Sequence, residues 1–401
     1  MAFAGKHVLF LVENCSVPFD KRVWREALAL KEFGASVSVV CPKGFKEDRE
    51  AFVQQNGVNI YRYTLPINVY SKIGYVIEYA KAFVFSLYYV LRIHLRSRIH
   101  VVHVANPPDI FFALGWICRV LRIKFVFDHH DLAPESYAVK FNGSRGFLFK
   151  MMLLCERLTF RAAHVVVSTN ESLKNIARTR GDLPDERIAI VRNGPDSAFR
   201  FRDDLKPYQK NGFAFLVSYI GIMGFTDGVE LIVYAADFVC NECGRKDIEF
   251  VLIGYGDQFD AVRALVVEKK LERNVKLTNR ISDADARGIL SSSDICLAPD
   301  PRNGLNEFHT MNKIAEYMSF GKPIVSFDLD ETKFTADESA HIVSDNDPKE
   351  FGRAIIALLD DGSKRAKMGE IGRQRLESQF TWEHSKNELR RIYHYIFTQL
   401  S

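Results

Sequence analysis

Residues 303–323 read NGLNEFHTMNKIAEYMSFGKP, and they change from a polar loop to an apolar periodic pattern. The pattern predicts a helix that begins near Thr310. The first N–H groups of a helix have no partner inside it, and the positive end of its dipole attracts negative groups. Asn312 and Lys313 lie in that first turn, and Glu316 follows one turn later on the same face. These residues could bind an anion and hydroxyl groups; the alternative is a charged helix face in contact with water.

A second polar group lies in the segment FDHHDLAPE, directly after a predicted buried strand. It contains His129, His130, Asp131 and Glu135, so that a histidine and a carboxylate can share one proton network. Such a network is suited to orienting or deprotonating a hydroxyl group. A histidine after a strand also serves structural purposes, and both interpretations stay open.

The segment ENCSVPFDKRVWRE holds a third group. Asp20 is predicted to cap the helix that follows, and Arg22 and Arg25 lie in its first turns. Arginine forms paired hydrogen bonds with phosphate, so these two side chains could bind a phosphorylated ligand. They could equally be surface charges.

Composition limits the classes of protein. With 401 residues and 47% hydrophobic content, the chain can bury a large core, and the length favours two domains. The net charge of +4, from 54 basic and 50 acidic residues, argues against a nucleic-acid-binding protein. Of the seven cysteines, Cys240 and Cys243 form a C-x-x-C without a second pair or a histidine cluster. Because the sequence shows no secretory signal, we expect reduced thiols in the cytosol. Zinc or redox chemistry at this pair is the alternative.

Predicted strands and amphipathic helices alternate along the chain. The first 44 residues contain strand, helix and strand, a βαβ unit that implies a parallel sheet. Further strand candidates are IHVVHVA, IKFVFDHHD, AHVVVSTN and IAIVRNG, then FAFLVSYIG, IEFVLIGYG, NVKLTNR, DICLAPD, KPIVSFD and SAHIVS. Between these sets, residues 196–211 are charged and lack apolar periodicity, which indicates a linker. The sequence therefore predicts an α/β protein of two doubly wound domains, residues 1–195 and 212–381.

Ligands of such parallel sheets bind beyond the carboxyl ends of the strands. We therefore expect functional residues in the segments that directly follow predicted strands. These are residues 13–20, 106–109, 129–135, 221–228, 254–257, 280–282 and 299–313.

In order and spacing, YIGIMGFTDGVELIVYA, IGYGD, and SSSDICLAPD with NKIAEYMSFGKPIV resemble the carboxyl-terminal domain of family 4 glycosyltransferases. The segments VPFDKRVWREALAL, FDHHDLAPESY and IVRNGPD resemble the amino-terminal domain and crossover of that GT-B family. The resemblance covers nearly the whole chain. It is closest to bacterial transferases that add sugars, often N-acetylated aminosugars, to lipid-linked precursors of O-antigen and capsule. It implies two Rossmann-like domains facing across a cleft, with helix 382–401 packing back on the first.

The resemblance implies that the second domain binds a nucleotide-sugar donor, most simply a UDP-sugar. The helix start at Thr310, Asn312 and Lys313 would face the diphosphate, and Glu316 would accept hydrogen bonds from the ribose. Relatives carry two glutamates seven residues apart, and Glu316 fits the second.

Two departures from the family pattern concern the same domain. Phe308 stands where the first glutamate is expected, and Glu307 lies one residue early. Relatives also carry an arginine and a lysine in the loop after the first strand, where this chain has Gly224 and Asp227 but no cation. The positive charge is therefore assigned to Lys313, with Arg280 and Arg192 behind it. The turn GYGD could hold phosphate or sugar, or be a plain turn. The donor-binding candidates are thus Thr310, Asn312, Glu316, Gly224, Asp227, Gly254, Gly256, Arg280, Ile281 and Asn193.

Residues 73–98 read IGYVIEYAKAFVFSLYYVLRIHLRSR. Their longest uncharged run is too short to span a bilayer, but apolar and aromatic residues cover most of the predicted helix and basic residues follow. A peripheral helix at the membrane interface is one interpretation, and a buried helix of the first domain is the other.

The sequence thus predicts a GT-B transferase that moves a sugar to a lipid-linked or saccharide acceptor in the cytoplasm, at the inner face of the membrane, without nucleic acid or cofactor. By resemblance it would retain the anomeric configuration. No metal is expected, because no Asp-x-Asp precedes a hydrophobic strand edge. Two alternatives stay open, a nucleotide-sugar epimerase of the same fold and a catalytically weak binding subunit. The catalytic candidates are Lys313, Glu307 and His130, and the acceptor-side candidates are Asp20, Arg22, His129, Asp131 and Glu135.

Overall fold

The computed structural model describes residues 2–44, 48–65, 72–107, 109–141, 143–195 and 205–400, with the backbone alone for residues 72–79. The chain forms two units, Met1–Asn193 together with Glu383–Ser401, and Gly194–Trp382. Of the predicted linker, residues 196–204 lie outside the described residues. Its last part packs on the second unit, where the Tyr208 hydroxyl donates to Glu249 at 2.8 Å and Lys210 pairs with Asp294 at 2.8 Å.

An eight-stranded sheet forms the centre of the first unit, in the order β3-β4-β2-β1-β5-β6-β7-β8. Its strands are β1 (His7–Leu11), β2 (Ser36–Pro42), β3 (Phe52–Gln55), β4 (Val58–Tyr63), β5 (Val101–Ala105), β6 (Lys124–His129), β7 (Val165–Ser168) and β8 (Ile188–Ile190). Its helices are α1 (Lys21–Glu32), α2 (Lys72–Arg96), α3 (Phe112–Val120), α4 (Ala133–Lys140), α5 (Phe147–Ala162) and α6 (Glu171–Gly181). The pairs are parallel except β3 with β4.

The antiparallel hairpin of β3 and β4 is absent from the predicted strands. Its signal is Asn56-Gly57, where the φ angles are 49° and 75°, as a two-residue hairpin turn requires. After the turn Val58, Asn59 and Ile60 alternate between apolar and polar types, whereas β3 reads FVQQ and does not alternate. In this segment the Asn56-Gly57 turn therefore predicts the hairpin better than the weak hydrophobicity of β3 does.

Helices α2 and α5 cover the same face of the first sheet. Neighbouring strands align one row of side chains, Tyr61, Val40, Leu11, Val104 and Phe127. Residues in one row point to the same side of a sheet. The ring of Tyr89 in α2 lies 5.7 Å from that of Tyr61, and Phe160 in α5 lies 5.4 Å from Phe127. The other face carries α1.

Helix α2 has one buried side and one exposed side, so neither alternative for residues 73–98 describes the whole helix. Ala82, Ser86, Val90 and Ile93 are buried. The opposite side exposes the apolar residues Val84, Tyr88, Leu91 and Leu95. Within the described ranges, no helix has both the length and the hydropathy that a membrane span requires.

The second unit contains six parallel strands in the order β11-β10-β9-β12-β13-β14. They are β9 (Phe215–Ile220), β10 (Ile248–Ile253), β11 (Val275–Leu277), β12 (Ile295–Ala298), β13 (Ile324–Phe327) and β14 (Ala340–Val343). The helices are α7 (Val229–Asp237), α8 (Phe259–Glu268), α9 (Asp283–Ser292), α10 (Asn312–Ser319), α11 (Asp330–Ala336), α12 (Pro348–Leu359) and α13 (Gly362–Arg375). The predicted fold class, two Rossmann-like α/β units with mostly parallel sheets, is confirmed.

The last helix, α14 (Trp382–Thr398), belongs to the first unit from Glu383 onward. Its buried side contains Leu389, Ile392, Tyr393 and Ile396. The Tyr393 hydroxyl lies 2.8 Å from Nδ1 of His103, a buried histidine in the central strand β5. The carboxyl-terminal helix is therefore joined to the sheet by a buried hydrogen bond as well as by apolar contacts.

We predict that Tyr393→Phe destabilises the first unit by ~1 to 3 kcal/mol, because it leaves a buried ring nitrogen of His103 without its hydroxyl partner. Urea unfolding followed by tryptophan fluorescence measures the effect, since Trp24 and Trp116 lie in this unit. Tyr395→Phe, on the half-exposed side of the same helix, is the matched control. Equal stability of the two variants would contradict a contribution from the His103 hydrogen bond.

Candidate active site

At the strand ends of the first unit, a buried arginine joins three elements. The Arg22 guanidinium donates to both carboxylate oxygens of Asp128, at 2.9 and 2.7 Å, and to the backbone oxygen of Val191 at 2.7 Å. It also donates to Oδ1 of Asn193 at 2.8 Å and lies 3.2 Å from a carboxylate oxygen of Glu26. Arg22 is 9% exposed. Of the two interpretations of Arg22, the surface charge does not fit this burial, and the guanidinium faces Asp128.

Asp20 has the predicted structural role, because its carboxylate accepts a hydrogen bond from the backbone N–H of Val23 at 3.0 Å. This cap fixes the start of α1 and so the position of Arg22, the second residue of the helix. Asn193, a predicted donor-binding residue, is here a hydrogen-bond partner of Arg22.

The two adjacent histidines belong to separate groups, and each lies beside its own carboxylate. His129 is the last residue of β6 and points to the side of α5, where its Nε2 lies 3.2 Å from Oε1 of Glu156. His130 follows the strand, and its Nδ1 lies 3.4 Å from Oδ2 of Asp128, on the side of Arg22. Successive residues of a strand point to opposite sides, which explains the separation.

His130 is the histidine that retains access to solvent, with its side chain 17% exposed. The backbone N–H groups of His130 and Asp131 donate to Oδ1 of Asn106, at 2.9 and 3.1 Å, so the turn is held firmly. Burial alone would lower the pKa of His130, but the Asp128 carboxylate outweighs it and raises the pKa to about 9. His130 is then an imidazolium near neutral pH, which can donate a hydrogen bond but cannot take a proton. The structure therefore favours orientation of a hydroxyl over its deprotonation.

Glu135, an acceptor-side candidate, takes part in a different network. It pairs with Arg180 from α6, and Arg180 also pairs with Glu156 at 3.0 Å. Glu156 in turn contacts His129. His129, Glu135, Glu156 and Arg180 thus form one group beneath α5, away from His130. Asp131 is half-buried in the turn between the two groups.

One set of described side chains has the geometry of a metal site. Ligand atoms of Glu26, His103 and Asp128 lie within 4.8 Å of one another, and all three residues are buried. The guanidinium of Arg22 already occupies the space beside both carboxylates, at 3.2 Å from Glu26 and 2.7 Å from Asp128. A second cation there would be repelled, so the set does not fit a metal. Burial raises the pKa of Glu26 to about 8, although Arg22 opposes the shift.

In the second unit, Lys313 lies in a compact charged cluster. Its Nζ contacts the two carboxylate oxygens of Asp300 at 2.7 and 2.9 Å and lies 3.9 Å from Asp227. The ammonium group also lies over the ring of Tyr219, 5.0 Å from its centroid. Lys313 is 8% exposed, so it does not belong to a hydrated helix face. Burial would lower its pKa, but Asp300 keeps the ammonium charged.

This cluster carries one positive and two negative side chains, so Lys313 offers no surplus charge. Lys313 was predicted to supply positive charge to a diphosphate, and a diphosphate there would have to share the ammonium group with Asp300. Asp227 lies in the loop after β9 and accepts a hydrogen bond from the backbone N–H of Gly224 at 3.0 Å. Burial raises the pKa of Asp227, and the nearby ammonium group of Lys313 opposes that shift.

Helix α10 begins at Asn312, two residues later than predicted, and no side chain caps it. Thr310 precedes the helix, and its hydroxyl lies 3.3 Å from Glu331. Asn312 is exposed and Glu316 is half-buried one turn after the start. The first turn of the helix therefore presents backbone N–H groups beside Lys313.

Glu307 lies in a short 3-10 helix, Asn306–Phe308, with its carboxylate 3.7 Å from Arg302. The buried side chain of Asn306 holds this segment by donating to the backbone oxygens of Thr226 and Pro301, at 2.8 and 2.9 Å. Asn306 thus joins the loop after β12 to the loop after β9. Asn306 belongs to the same polar segment as Glu307, but it is not among the predicted site residues.

The glycines of the GYGD turn are explained by contact between loops. A Cβ at Gly254 would lie 1.8 Å from the backbone oxygen of Gly221, and one at Gly256 would lie 2.5 Å from that of Met223. Gly254 also has a φ of 141°, which side chains rarely allow. The plain structural interpretation therefore accounts for both glycines. Beyond β11, Arg280 is exposed and Ile281 is half-buried.

Comparison with known proteins agrees with this architecture. Residues 20–194 match the family described as glycosyl transferase 4-like domain, and residues 214–361 match glycosyl transferases group 1. The chain belongs to the GT-B glycosyltransferases. The two matched regions of this GT-B glycosyltransferase correspond to its two units and contain Arg22, Asp128, Asp300 and Lys313.

Individual relatives are distant. An uncharacterised glycosyltransferase of Methanocaldococcus jannaschii is 22% identical over 70% of this chain and 71% of its own length. The capsular polysaccharide biosynthesis glycosyltransferase CapM of Staphylococcus aureus is 20% identical over 62% of this chain and 66% of its own length.

Two solved structures share the fold. Sucrose-phosphate synthase of Thermosynechococcus elongatus superimposes with a TM-score of 0.76 and 17% identity over 98% of this chain and all of its own. Anabaena HepE in complex with UDP superimposes with a TM-score of 0.68 and 13% identity over 97% of this chain and 99% of its own. At these identities the likeness shows the GT-B fold and no more.

The His130–Asp128 pair predicts a pH-dependent stability. Because the folded-state pKa of about 9 exceeds that of an unfolded histidine, ~6.5, the pair stabilises the fold fully at low pH. Its contribution is lost as the pH rises toward 9. We expect the unfolding midpoint of the wild type to exceed that of His130→Gln near neutral pH and the difference to shrink in alkali. His384→Gln, at an exposed site, is the control. A difference that grows with pH would contradict the pairing.

The Lys313–Asp300 pair predicts non-additive stability. Lys313→Met leaves Asp300 buried without its partner and should destabilise the second unit by ~3 to 5 kcal/mol. The double variant Lys313→Met/Asp300→Leu removes both charges and should be markedly more stable than the single variant. Urea unfolding of the wild type, Lys313→Met, Asp300→Leu and the double variant measures this. Two independent, additive losses would show that the pair is not the main partnership of either residue.

Proposed function

We propose that this GT-B glycosyltransferase moves a hexose or N-acetylaminosugar from a UDP-sugar to a lipid-linked or saccharide acceptor of surface polysaccharide synthesis. The observation that carries the proposal is the cluster of Lys313, Asp300 and Asp227 at the start of α10, beyond the carboxyl ends of β9 and β12. Ligands of parallel sheets bind at such ends. HepE, which shares the fold, forms a complex with UDP, and CapM acts in capsular polysaccharide biosynthesis.

In this proposal the second unit holds the donor diphosphate at the first turn of α10. Phosphate oxygens would accept from the unpaired N–H groups there and would share Lys313 with Asp300. Negative charge develops on the diphosphate as it leaves, and donors fixed in advance stabilise that charge. Glu316 would accept hydrogen bonds from the ribose. Glu307, oriented by Arg302, would face the sugar.

The first unit would orient the acceptor. His130, as an imidazolium, would donate a hydrogen bond to an acceptor hydroxyl or an adjacent phosphate, and the neighbouring carboxylate of Asp131 would accept one. Asp128, which Arg22 fixes in place, contacts the imidazole ring of His130. The proposal further includes retention of the anomeric configuration and no catalytic metal, both of which rest on the family resemblance. It places the protein in the cytoplasm, in peripheral contact with the membrane through α2.

A second candidate function is a nucleotide-sugar-binding subunit of low activity. The observation that favours it is the matched charge of Lys313, together with the absence of the arginine and lysine that relatives carry in the loop after β9. Turnover separates the two functions. Release of UDP that requires an acceptor supports transfer, whereas tight binding of the donor without any release supports the binding subunit.

We predict that Glu316→Gln weakens UDP binding by ~1 to 2 kcal/mol, because a charged hydrogen bond to the ribose becomes a neutral one. Isothermal titration calorimetry measures the affinity, after thermal-shift screening of UDP, GDP and ADP has identified the nucleotide that stabilises the protein most. Glu268→Gln, an exposed glutamate of α8 in the same unit, is the control. A defect confined to the acceptor would remove Glu316 from the donor site.

A further inference from the structure

The first unit exposes two apolar stripes with the same spacing. On α2, Val84, Tyr88, Leu91 and Leu95 are 62%, 50%, 40% and 86% exposed. On α5, Phe147, Met151 and Leu154 are 79%, 38% and 48% exposed, and the half-buried Leu158 continues the line. Both stripes follow the spacing i, i+4, i+7, i+11, which places four side chains on one side of a helix. They lie opposite the sides that pack on the sheet.

The two stripes point in the same direction. Because α2 and α5 cover one face of the sheet, their outward sides both face away from that face. Helix α3 packs beside α5, and a Cβ at its Gly115 would lie 2.8 Å from the Cβ of Ala162. This close approach is possible because Gly115 has no side chain. Helix α3 adds Trp116 and Val120, which are 46% and 83% exposed.

The charges around these stripes have one sign. Exposed basic residues accompany them, namely Lys81, Arg92 and Arg96 on α2, and Lys150, Arg157 and Arg161 on α5. Among the described side chains of α2, α3 and α5, the one carboxylate is Glu156, and it is buried and paired with His129 and Arg180. The surface therefore combines apolar side chains with uncompensated positive charge.

We infer that α2, α3 and α5 together form a docking surface for an anionic lipid bilayer, into whose headgroup region the two stripes insert. Apolar side chains on the outward side of a helix, flanked by lysine and arginine, are the chemistry that binds such an interface. Tyr88, whose hydroxyl accepts from Arg92 at 2.9 Å, has the amphipathic ring favoured at that depth. The inference extends the membrane contact proposed for α2, and it rests on that part of the proposed function alone.

A second copy of the chain fits this surface less well. A two-fold symmetric dimer would place the same face of each copy against the other, and basic residues would then meet basic residues. An anionic bilayer instead supplies the complementary charge along the whole surface. The contribution of α5 is the new element, because its stripe is separated from α2 by the width of several strands.

Sedimentation of the full chain with vesicles tests the inference. The vesicles contain phosphatidylcholine either alone or mixed with phosphatidylglycerol. We expect the wild type to bind the mixed vesicles, to bind neutral vesicles far less, and to be released as salt is raised. Phe147→Glu/Leu154→Glu on α5 should lower the partition by about tenfold or more, and Val84→Glu/Leu95→Glu on α2 should do the same. The matched control is Val267→Glu/Phe334→Glu, two exposed apolar sites of the second unit, which should bind as the wild type does.

Three outcomes would overturn the inference. The first is a wild type that does not bind anionic vesicles at low salt. The second is an α5 variant that binds as the wild type does while the α2 variant fails, which would leave α2 alone at the membrane. The third is a dimer in the absence of lipid that the α5 variant converts to a monomer, which would make the stripe an interface between copies. Thermal unfolding and UDP binding are measured for the wild type and each variant. They report on the fold and on the proposed donor site, so a failure of either is distinguished from a loss of membrane binding.

Discussion

A charge that leaves water must be matched inside the protein, and this constraint organises the strand ends of both units. In the first unit Arg22, in the first turn of α1, meets Asp128 near the end of β6. In the second unit Lys313, in the first turn of α10, meets Asp300 just after β12. Each pair joins a helix start to a strand end. At the start of α10, which no side chain caps, the backbone N–H groups are thereby held beside Lys313, an arrangement suited to an anionic ligand.

The same matching decides which side chains are available for chemistry. Asp128 is shared between Arg22 and His130, so it both anchors the arginine and keeps the imidazole charged. Asp300 neutralises Lys313, so a diphosphate would have to share the ammonium group. In both units the side chain that would contact a ligand, His130 or Lys313, is held and kept charged by a buried carboxylate. Activity should consequently be sensitive to buried carboxylates that touch no substrate.

Most of the fold could be predicted from the sequence, because buried parallel strands and amphipathic helices have distinct periods. The helix cap at Asp20 could also be predicted, because Asp20 and the N–H group of Val23 that it caps are close in sequence. The pairing of Arg22 with Asp128, by contrast, joins residues 106 positions apart, and no spacing rule relates them. The separation of His129 from His130 follows from the exact end of a strand, the least predictable feature of an element. The glycines of the GYGD turn were ambiguous because a close ligand and a close backbone select the same residue.

The position of α14 has a consequence for synthesis. Residues 1–193 form most of the first unit, yet the helix that supplies Tyr393 to its central strand follows the whole second unit in the chain. The second unit is continuous and can fold while the chain is still growing. The strands of the first unit are translated first, but α14 joins α1 on their shared face of the sheet only after the second unit has been made. The buried hydrogen bond between His103 and Tyr393 can therefore form only after the second unit has been translated.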